Sequence, residues 1–168
     1  IDILDPISNM FYHRDTDIKI IVDCPPNLVI VTDCLRLKQV ILNLGRNSSK
    51  FVEFGFIRFR VDVLNDKIEI YVEDSGPGIP VEKRSNIFQK FQASLDVLNQ
   101  GTGIGLSRCQ TLVDLLGGEI CLDESYDSGI VGSPGARFVI RLNASDSSNL
   151  FESTTFSIRS RTGLSKLK

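Results

Sequence analysis

The sequence predicts an α+β fold: a two-layer α/β sandwich in which helices cover one face of a mixed, mostly antiparallel sheet. Two segments, 56–63 and 67–74, alternate apolar and polar residues, which is typical of antiparallel strands with one covered face. Only two long helical patterns are available to cover that face, so two layers are the economical arrangement. We place one domain at residues 1–143 and a Ser/Thr-rich, basic-ended tail or linker at residues 144–168.

The first part of the chain predicts strands followed by a long helix. In chain order we expect a short helix at 5–13 and strands at 18–23 and 28–33, the strands being joined at a Pro-Pro-Asn turn. Residues 33–51 predict a helix with Asp33 as its N-cap, because apolar residues recur there at helical spacing. The packing surface of this helix is predicted to be Leu37, Val40, Ile41, Leu44 and Phe51.

The segments 56–63 and 67–74 predict a hairpin, since Asn65-Asp66 suits a two-residue turn between them. A loop region rich in Gly, Pro, Ser, Asn and Gln follows at 75–105. The last predicted elements are a helix at 106–116, which stops at Gly117-Gly118, and strands at 119–123 and 136–142.

The composition excludes several classes of protein. A net charge of −2 gives no reason to expect attraction to nucleic acid or a membrane surface. No apolar run approaches the roughly 20 residues of a membrane span, and Asp2 and Asp5 do not fit a signal peptide. The four cysteines have neither C-x-x-C spacing nor a histidine at metal-site spacing, so we expect reduced, mostly buried thiols in a cytoplasmic protein.

A glycine-rich stretch, GTGIGL at 101–106, leads into the second long helix. Glycines let backbone N–H groups approach phosphate oxygens, and a helix N-terminus attracts anions. The stretch fits neither the dinucleotide fingerprint G-x-G-x-x-G nor the Walker motif, since the chain contains no G-K-[ST]. It indicates a phosphate site, and the alternative for these residues alone is a helix lead-in without a ligand.

Three polar residues, Asn43, Asn47 and Lys50, lie along one face of the predicted helix 33–51. Asparagine is a poor helix former and is costly beside a core, so two in line with a lysine indicate a polar cavity. Amide oxygens suit Mg²⁺ and a lysine suits phosphate. The alternative interpretation is a solvated face.

Asp74 falls in phase with the inward residues Ile68, Ile70 and Val72, where a carboxylate is costly unless donors meet it. The following glycines in DSGPG would let a flat ligand approach, and a carboxylate there suits an exocyclic amine such as that of adenine. Alternatively, Asp74 is a turn or capping group. The apolar island IFQKF at 87–91 is interpreted as the anchor of a lid, as a small satellite core, or as both.

The order of these four stretches resembles the ATP-binding catalytic domain of two-component sensor histidine kinases. Residues 33–51 look like its N box, VEDSGPGIP its G1 box, IFQKF its F box, and GTGIGLSRCQTLVDLLGGEI its G2 box. The resemblance covers roughly residues 1–143. It implies the Bergerat fold, which type II topoisomerases, MutL and heat-shock chaperone ATPases share.

The resemblance also implies roles for individual residues. Asn47 is implied as the Mg²⁺ ligand, with Asn43 beside it, and Lys50 as a phosphate contact; Asn43 and Lys50 are the expected catalytic residues. Asp74 is implied to bind the adenine amine. The further expected nucleotide contacts are Gly76, Gly78, Ile79, Lys90, Gly101, Thr102, Gly103, Gly105 and Leu106.

The implied activity is transfer of the γ-phosphate of ATP-Mg to a histidine on a separate helical-hairpin domain. Related ATPases have a glutamate where this chain has Asn43, and an amide is no base, which favours transfer over hydrolysis. The only histidine, His13, lacks room for a helical hairpin around it, so we expect the acceptor, and possibly a receiver domain, outside this chain. The alternatives are a degenerate scaffold module, suggested by a short lid (QASLDVLNQ) without Lys or Arg, and a hydrolysing ATPase.

Overall fold

The computed structural model describes residues 17–25, 28–65, 67–89, 104–143 and 154–158. The helices are α1 (Cys34–Phe51), α2 (Val81–Arg84) and α3 (Gly105–Leu115). The strands are β1 (Ile18–Asp23), β2 (Leu28–Thr32), β3 (Gly55–Leu64), β4 (Lys67–Asp74), β5 (Glu119–Leu122), β6 (Ala136–Asn143) and β7 (Thr154–Ile158). The helix predicted at 5–13 lies outside the described residues.

Five strands form one sheet in the order β1-β3-β4-β6-β5. Strand β1 runs parallel to β3, and the other neighbours are antiparallel, so the prediction of a mixed, mostly antiparallel sheet is confirmed. The predicted hairpin between β3 and β4 is also present, since Leu64 pairs with Lys67 across a two-residue turn. Asn65 has a φ of 54° there, as hairpin turns of this length require.

A second, two-stranded sheet was not predicted from the sequence. Strand β2 pairs with β7 in antiparallel register from Leu28 opposite Ile158 to Thr32 opposite Thr154. Strand β7 lies within residues 144–168, which the sequence presents as a tail or linker. Its sequence TTFSI has a single large apolar residue before its last position, so the alternation signal is weak.

The core lies between the five-stranded sheet and the helices α1 and α3. Helix α1 begins where predicted, because the Asp33 carboxylate accepts a hydrogen bond from the Arg36 backbone N–H at 3.0 Å. The predicted packing residues Leu37, Val40, Ile41 and Leu44 are buried. The prediction for Phe51 was wrong: this side chain is 46% exposed, and the next residue, Val52, is buried after the helix has ended.

Helix α3 packs on α1 and on β5. Its buried residues include Cys109 and Val113, and it ends as predicted, with Gly117 at a φ of 71° and the Gly118 N–H donating to the Val113 carbonyl at 3.0 Å. None of the four cysteines forms a disulfide bond, and two of them are buried and two half-buried. No helix in the described part of the chain has the length and apolar character needed to cross a membrane.

The opposite face of the sheet is polar. Glu73, fully buried, lies between Arg58, whose Nη1 is 3.1 Å from Oε2, and Arg137, whose Nε is 2.9 Å from Oε1. Arg137 also stacks on the rings of Tyr71 and Tyr126, at 5.7 and 4.3 Å from their centroids. This face is therefore held by ion pairs and guanidinium–aromatic contacts, with the helices on the other side.

Candidate nucleotide-binding site

Asp74 is the last residue of β4 and lies on the face that the helices cover, as the alternation predicted. It is 7% exposed. Its Oδ1 accepts hydrogen bonds from the backbone N–H groups of Gly76 at 2.9 Å and Ala136 at 3.2 Å, and its Oδ2 accepts one from the Ser48 hydroxyl at 2.8 Å. Asp74 therefore belongs to the strand, and its bond to Gly76, two residues on, also gives it the turn role that was the alternative.

All three donors to Asp74 are uncharged. Burial raises the pKa of this carboxyl above its ordinary value, while the hydrogen bonds from Gly76, Ser48 and Ala136 oppose that shift. Oδ1 has two donors and Oδ2 has one among the described residues. Since each carboxylate oxygen has two lone pairs, Oδ2 retains an acceptor position for a further donor.

The two glycines after Asp74 are required for different reasons. A Cβ on Gly76 would lie 3.1 Å from the Asp74 Oδ1, so a side chain there would crowd the carboxylate. Gly78 has a φ of 77°, and a Cβ on it would lie 3.0 Å from the Pro134 Cγ. Gly76 therefore leaves the edge of Asp74 open, whereas Gly78 makes the turn that the prediction required of it. Ile79 packs against the core.

The loop between β5 and β6 supports this region from behind, which the sequence did not suggest. The Gly135 N–H donates to the Gly76 carbonyl at 2.9 Å. A Cβ on Gly135 would lie 2.0 Å from the Asp74 carbonyl oxygen, so only glycine allows the two segments to approach this closely. The backbone around Asp74 is consequently held in place by a segment far from it in the chain.

Ser48 was missed by the sequence argument. It is 2% exposed on α1 and reaches Asp74 across the interface between helix and sheet. A signal was present, because Ser48 is in helical phase with the buried positions Leu37, Ile41 and Leu44. A serine at a core position of an amphipathic helix needs a buried partner.

The predicted polar stripe on α1 extends from a half-buried to an exposed position. Asn43 and Asn47 are half-buried. Burial raises the pKa of the Cys109 thiol on α3 to about 11, and the Asn43 side chain opposes this shift. Lys50 is exposed in the last helical turn, with its Nζ 5.1 Å from the centroid of the Phe51 ring. Asn43 and Asn47 are thus only partly exposed, and their predicted place beside a metal ion stays a prediction.

The apolar residues of IFQKF that the structure describes join the main core. Ile87 and Phe88 pack against it, and the Phe88 ring meets the Phe138 ring edge-on with centroids 6.2 Å apart. A separate satellite core is therefore not what these two residues form. Lys90 and Phe91 lie outside the described residues.

The helix that follows the glycine-rich stretch begins at Gly105, one residue before the predicted start. A Cβ on Gly105 would meet no described atom within 4 Å outside its own helix backbone and chain neighbours, so packing within the described part of the chain does not explain this glycine. Leu106 packs against the core and anchors the first turn of α3. Gly101, Thr102 and Gly103 lie outside the described residues, so their predicted contacts with phosphate stay a prediction.

The side chains of the polar stripe on α1 that could bind a hard cation are the amides of Asn43 and Asn47. The described residues contain no group of three or more His, Cys, Asp or Glu side chains that could hold a metal ion. Asn43 and Asn47 are half-buried with oxygens that suit Mg²⁺, which binds proteins through few groups and keeps waters or phosphate oxygens as its other ligands. These residues therefore fit a Mg²⁺ ion that arrives with a polyphosphate.

The family model described as histidine kinase-, DNA gyrase B- and HSP90-like ATPase matches residues 32–146. The chain belongs to this ATPase family. The resemblance of the four sequence stretches to histidine kinase catalytic domains is thereby confirmed.

Relatives within this ATPase family are sensor kinases. The signal transduction histidine-protein kinase BarA of Escherichia coli is 36% identical over 140 residues, which are 75% of this chain and 15% of that protein. The hybrid signal transduction histidine kinase B of Dictyostelium discoideum is 33% identical over 132 residues, 73% of this chain and 7% of that protein. The chain thus spans a small part of the length of these relatives.

Solved structures agree on the fold. The catalytic domain of histidine kinase ThkA superposes with a TM-score of 0.70 at 26% identity, covering 84% of this chain and 90% of that domain. Full-length ShkA, solved in complex with AMPPNP, superposes with a TM-score of 0.69 at 26% identity, covering 83% of this chain and 29% of that protein. The prediction of an α+β fold of the histidine kinase type is confirmed.

Proposed function

We propose that this chain binds ATP-Mg and, within the full-length protein, transfers the γ-phosphate to a histidine on a separate phosphoacceptor domain. The observation that carries the proposal is Asp74, a buried carboxylate with uncharged donors and one acceptor position left on Oδ2. An exocyclic amine such as that of adenine would complete its hydrogen bonding. The solved complex of ShkA with AMPPNP, an ATP analogue, supports the same choice of nucleotide.

The phosphate end of the nucleotide would lie along α1 and at the start of α3. Asn47 would hold Mg²⁺, with Asn43 beside it, and the bound ion would neutralise charge on the phosphates. Lys50, exposed at the end of α1, would contact a phosphate oxygen directly. Gly105, whose missing side chain no contact in the described part of the chain explains, would form part of the phosphate cradle with Gly101 and Gly103.

Transfer to a protein nucleophile is favoured over hydrolysis, because Asn43 occupies the position where related ATPases have a glutamate that activates water. The side chain of Asn43 is an amide, which cannot take a proton from water. The catalytic base would therefore come from the acceptor domain. That domain, and a receiver domain of the same or a partner protein, would be the macromolecular partners. We place the reaction in the cytoplasm, where thiols such as those of the four cysteines stay reduced.

Incubation of the full-length protein with ATP labelled at the γ-phosphate tests this proposal. We expect label on a histidine, recognised as a phosphoryl group that acid removes and base does not, and its loss in the Asn47→Ala variant. Nucleotide binding without label would instead identify a scaffold module, the alternative that the lid sequence without Lys or Arg favours. Steady release of inorganic phosphate from the isolated chain would identify a hydrolysing ATPase.

A further inference from the structure

Ser48 donates to the one oxygen of Asp74 that retains an acceptor position. Oδ1 is held by two backbone N–H groups, those of Gly76 and Ala136, whereas Oδ2 has only the Ser48 hydroxyl at 2.8 Å among the described donors. The rotation of the carboxylate is therefore fixed from the sheet at one oxygen and from α1 at the other. Any ligand donor that reaches Oδ2 must share it with Ser48.

Ser48 is buried, so its hydroxyl depends on a partner within the protein. Serine is an indifferent helix former, and its hydroxyl in a helix commonly returns to a carbonyl of the preceding turn. Here the hydroxyl crosses instead to a strand 26 residues further along the chain. Ser48 and Asp74 are both buried. If one of them is removed, water does not take its place as the hydrogen-bond partner of the other.

We infer that Ser48 is a positioning residue that orients Asp74 for the exocyclic amine of the base and thereby helps to set the preference for adenine. The inference rests on the proposed function, because it assumes that Asp74 reads the base. Ser48 does not touch the reacting phosphates. Its hydrogen bond holds the Asp74 carboxylate in one orientation, so the remaining lone pair of Oδ2 points in a fixed direction. An amine of the ligand would then meet an acceptor that is already in place.

The position of Ser48 next to Asn47 adds a structural consequence. Consecutive residues of α1 serve opposite ends of the nucleotide, since Asn47 is the proposed metal ligand and Ser48 contacts the base-reading carboxylate. Asn47 and Ser48 belong to one continuous helix, in which Leu44 and Ser48 are buried on the same side. The distance between base and phosphate contacts is thus fixed by the helix.

The test compares ATP with purine riboside triphosphate, which has the same ring system without the 6-amine, by calorimetric titration in the presence of Mg²⁺. The parent protein is expected to prefer ATP by about tenfold or more, as for a site built around one polar contact. In Ser48→Ala, the affinity for ATP should fall toward that for purine riboside triphosphate, whose affinity should change little. Ser48→Thr, which keeps a hydroxyl, should restore most of the preference.

A matched control removes another helical hydroxyl. Thr111 Oγ1 donates to the Ser107 carbonyl at 3.1 Å on α3, and Thr111→Ala should leave the ratio of the two affinities unchanged. Thermal unfolding of each variant shows whether it is folded. If Ser48→Ala is unfolded, Ser48→Cys replaces it in the test. A thiol is a weaker donor than a hydroxyl, so this variant is expected to give an intermediate ratio of the affinities for ATP and purine riboside triphosphate.

The results separate this inference from the proposed function. Equal losses for both nucleotides in Ser48→Ala would show a general structural role, and an unchanged preference would show no role; either result overturns the inference while the proposed function stands. If the parent binds neither nucleotide, both fail together.

Discussion

Glu73 and Asp74 are consecutive residues of β4, and their carboxylates lie on opposite faces of the sheet with opposite kinds of partner. Glu73 is fully buried and forms ion pairs with Arg58 and Arg137. Asp74, also buried, receives three uncharged donors. The first carboxylate is satisfied by the fold itself, whereas the second retains an acceptor position, so two adjacent acidic residues serve stability and ligand binding separately.

Replacing Asp74 by asparagine should separate stability from binding. The pKa of Asp74 is raised by burial, so the folded state disfavours its ionised form. The free energy of unfolding of the parent should therefore fall as pH rises from the unfolded pKa through the raised folded pKa, then stay level. An amide does not ionise, so the free energy of unfolding of Asp74→Asn should not fall in this way. The amide can still donate to Ser48 and accept from Gly76 and Ala136.

We therefore expect Asp74→Asn to be as stable as the parent at neutral pH, or more stable, while its affinity for ATP falls about tenfold or more. Urea unfolding between pH 4 and pH 8, together with a nucleotide titration, measures both quantities. A variant that is unstable at neutral pH would show that the ionised carboxylate holds the fold together.

Glu73→Gln should have the contrasting effect. Removal of the charge leaves Arg58 and Arg137 facing a neutral amide, whose NH2 group cannot accept from a guanidinium, at a cost of about 1–3 kcal/mol in the free energy of unfolding. The control is Glu119→Gln, because Glu119 is 68% exposed and lies 3.6 Å from Arg141, and such surface pairs contribute less than about 1 kcal/mol. Equal effects of the two substitutions in urea unfolding would contradict the structural role given to Glu73.

Two tyrosines offer a matched pair of substitutions. The Tyr126 hydroxyl is buried and has no hydrogen-bond partner among the described residues, whereas the Tyr71 hydroxyl donates to Glu69. Tyr126→Phe should leave the melting temperature unchanged or raise it, because it removes an unsatisfied polar group while the ring stays on Arg137. Tyr71→Phe should lower stability by about 1 kcal/mol.

The buried hydroxyl of Tyr126 also predicts how stability changes at alkaline pH. Burial raises the pKa of Tyr126 to about 12, so the unfolded chain loses this proton before the folded chain does. The parent should lose stability as pH rises from 10 to 12, and Tyr126→Phe should lose less over that range. A Tyr126→Phe variant with a lower melting temperature at neutral pH would show that the hydroxyl has a stabilising partner.

Asn47→Ala should weaken the binding of ATP-Mg and spare the fold. Loss of a ligand contact to a charged group corresponds to about 1–3 kcal/mol. Titrations with and without a chelator make the test specific, since the difference between variant and parent should vanish once Mg²⁺ is removed. If the two proteins bind ATP-Mg with equal affinity, Asn47 is not the metal ligand.

The sequence predicted the fold because its strongest signals were local. Strict alternation in β3 and β4 and the apolar stripe of α1 specified two layers, and Asp74 was placed on the covered face by phase alone. The two-stranded sheet of β2 and β7 was beyond this reasoning, because its partners are separated by most of the chain. Phe51 was misplaced because helical spacing does not show where the last turn leaves the core.

The candidate site was predicted less completely than the fold. Polar residues at improbable positions, such as Asn43, Asn47 and Asp74, indicated it, and of these predictions the burial of Asp74 is confirmed. Ser48 gave the same kind of signal but is small enough to pass for a core residue in a sequence pattern. The support from Gly135 depends on a contact across sheet strands, and only the three-dimensional structure reveals which backbone segments approach each other that closely.

The account depends most on Asp74 reading the base, and calorimetric titration of the parent chain with ATP-Mg and GTP-Mg tests this most directly. A carboxylate accepts from the 6-amine of adenine, whereas the 6-oxo group of guanine would face it as a second buried acceptor, at about 1–3 kcal/mol for each unsatisfied group. We predict that ATP binds at least about tenfold tighter than GTP, and that Asp74→Asn narrows this gap because an amide can donate to the 6-oxo group. Equal affinity of the parent for ATP and GTP would contradict the account and remove residues 74–78 from the base pocket.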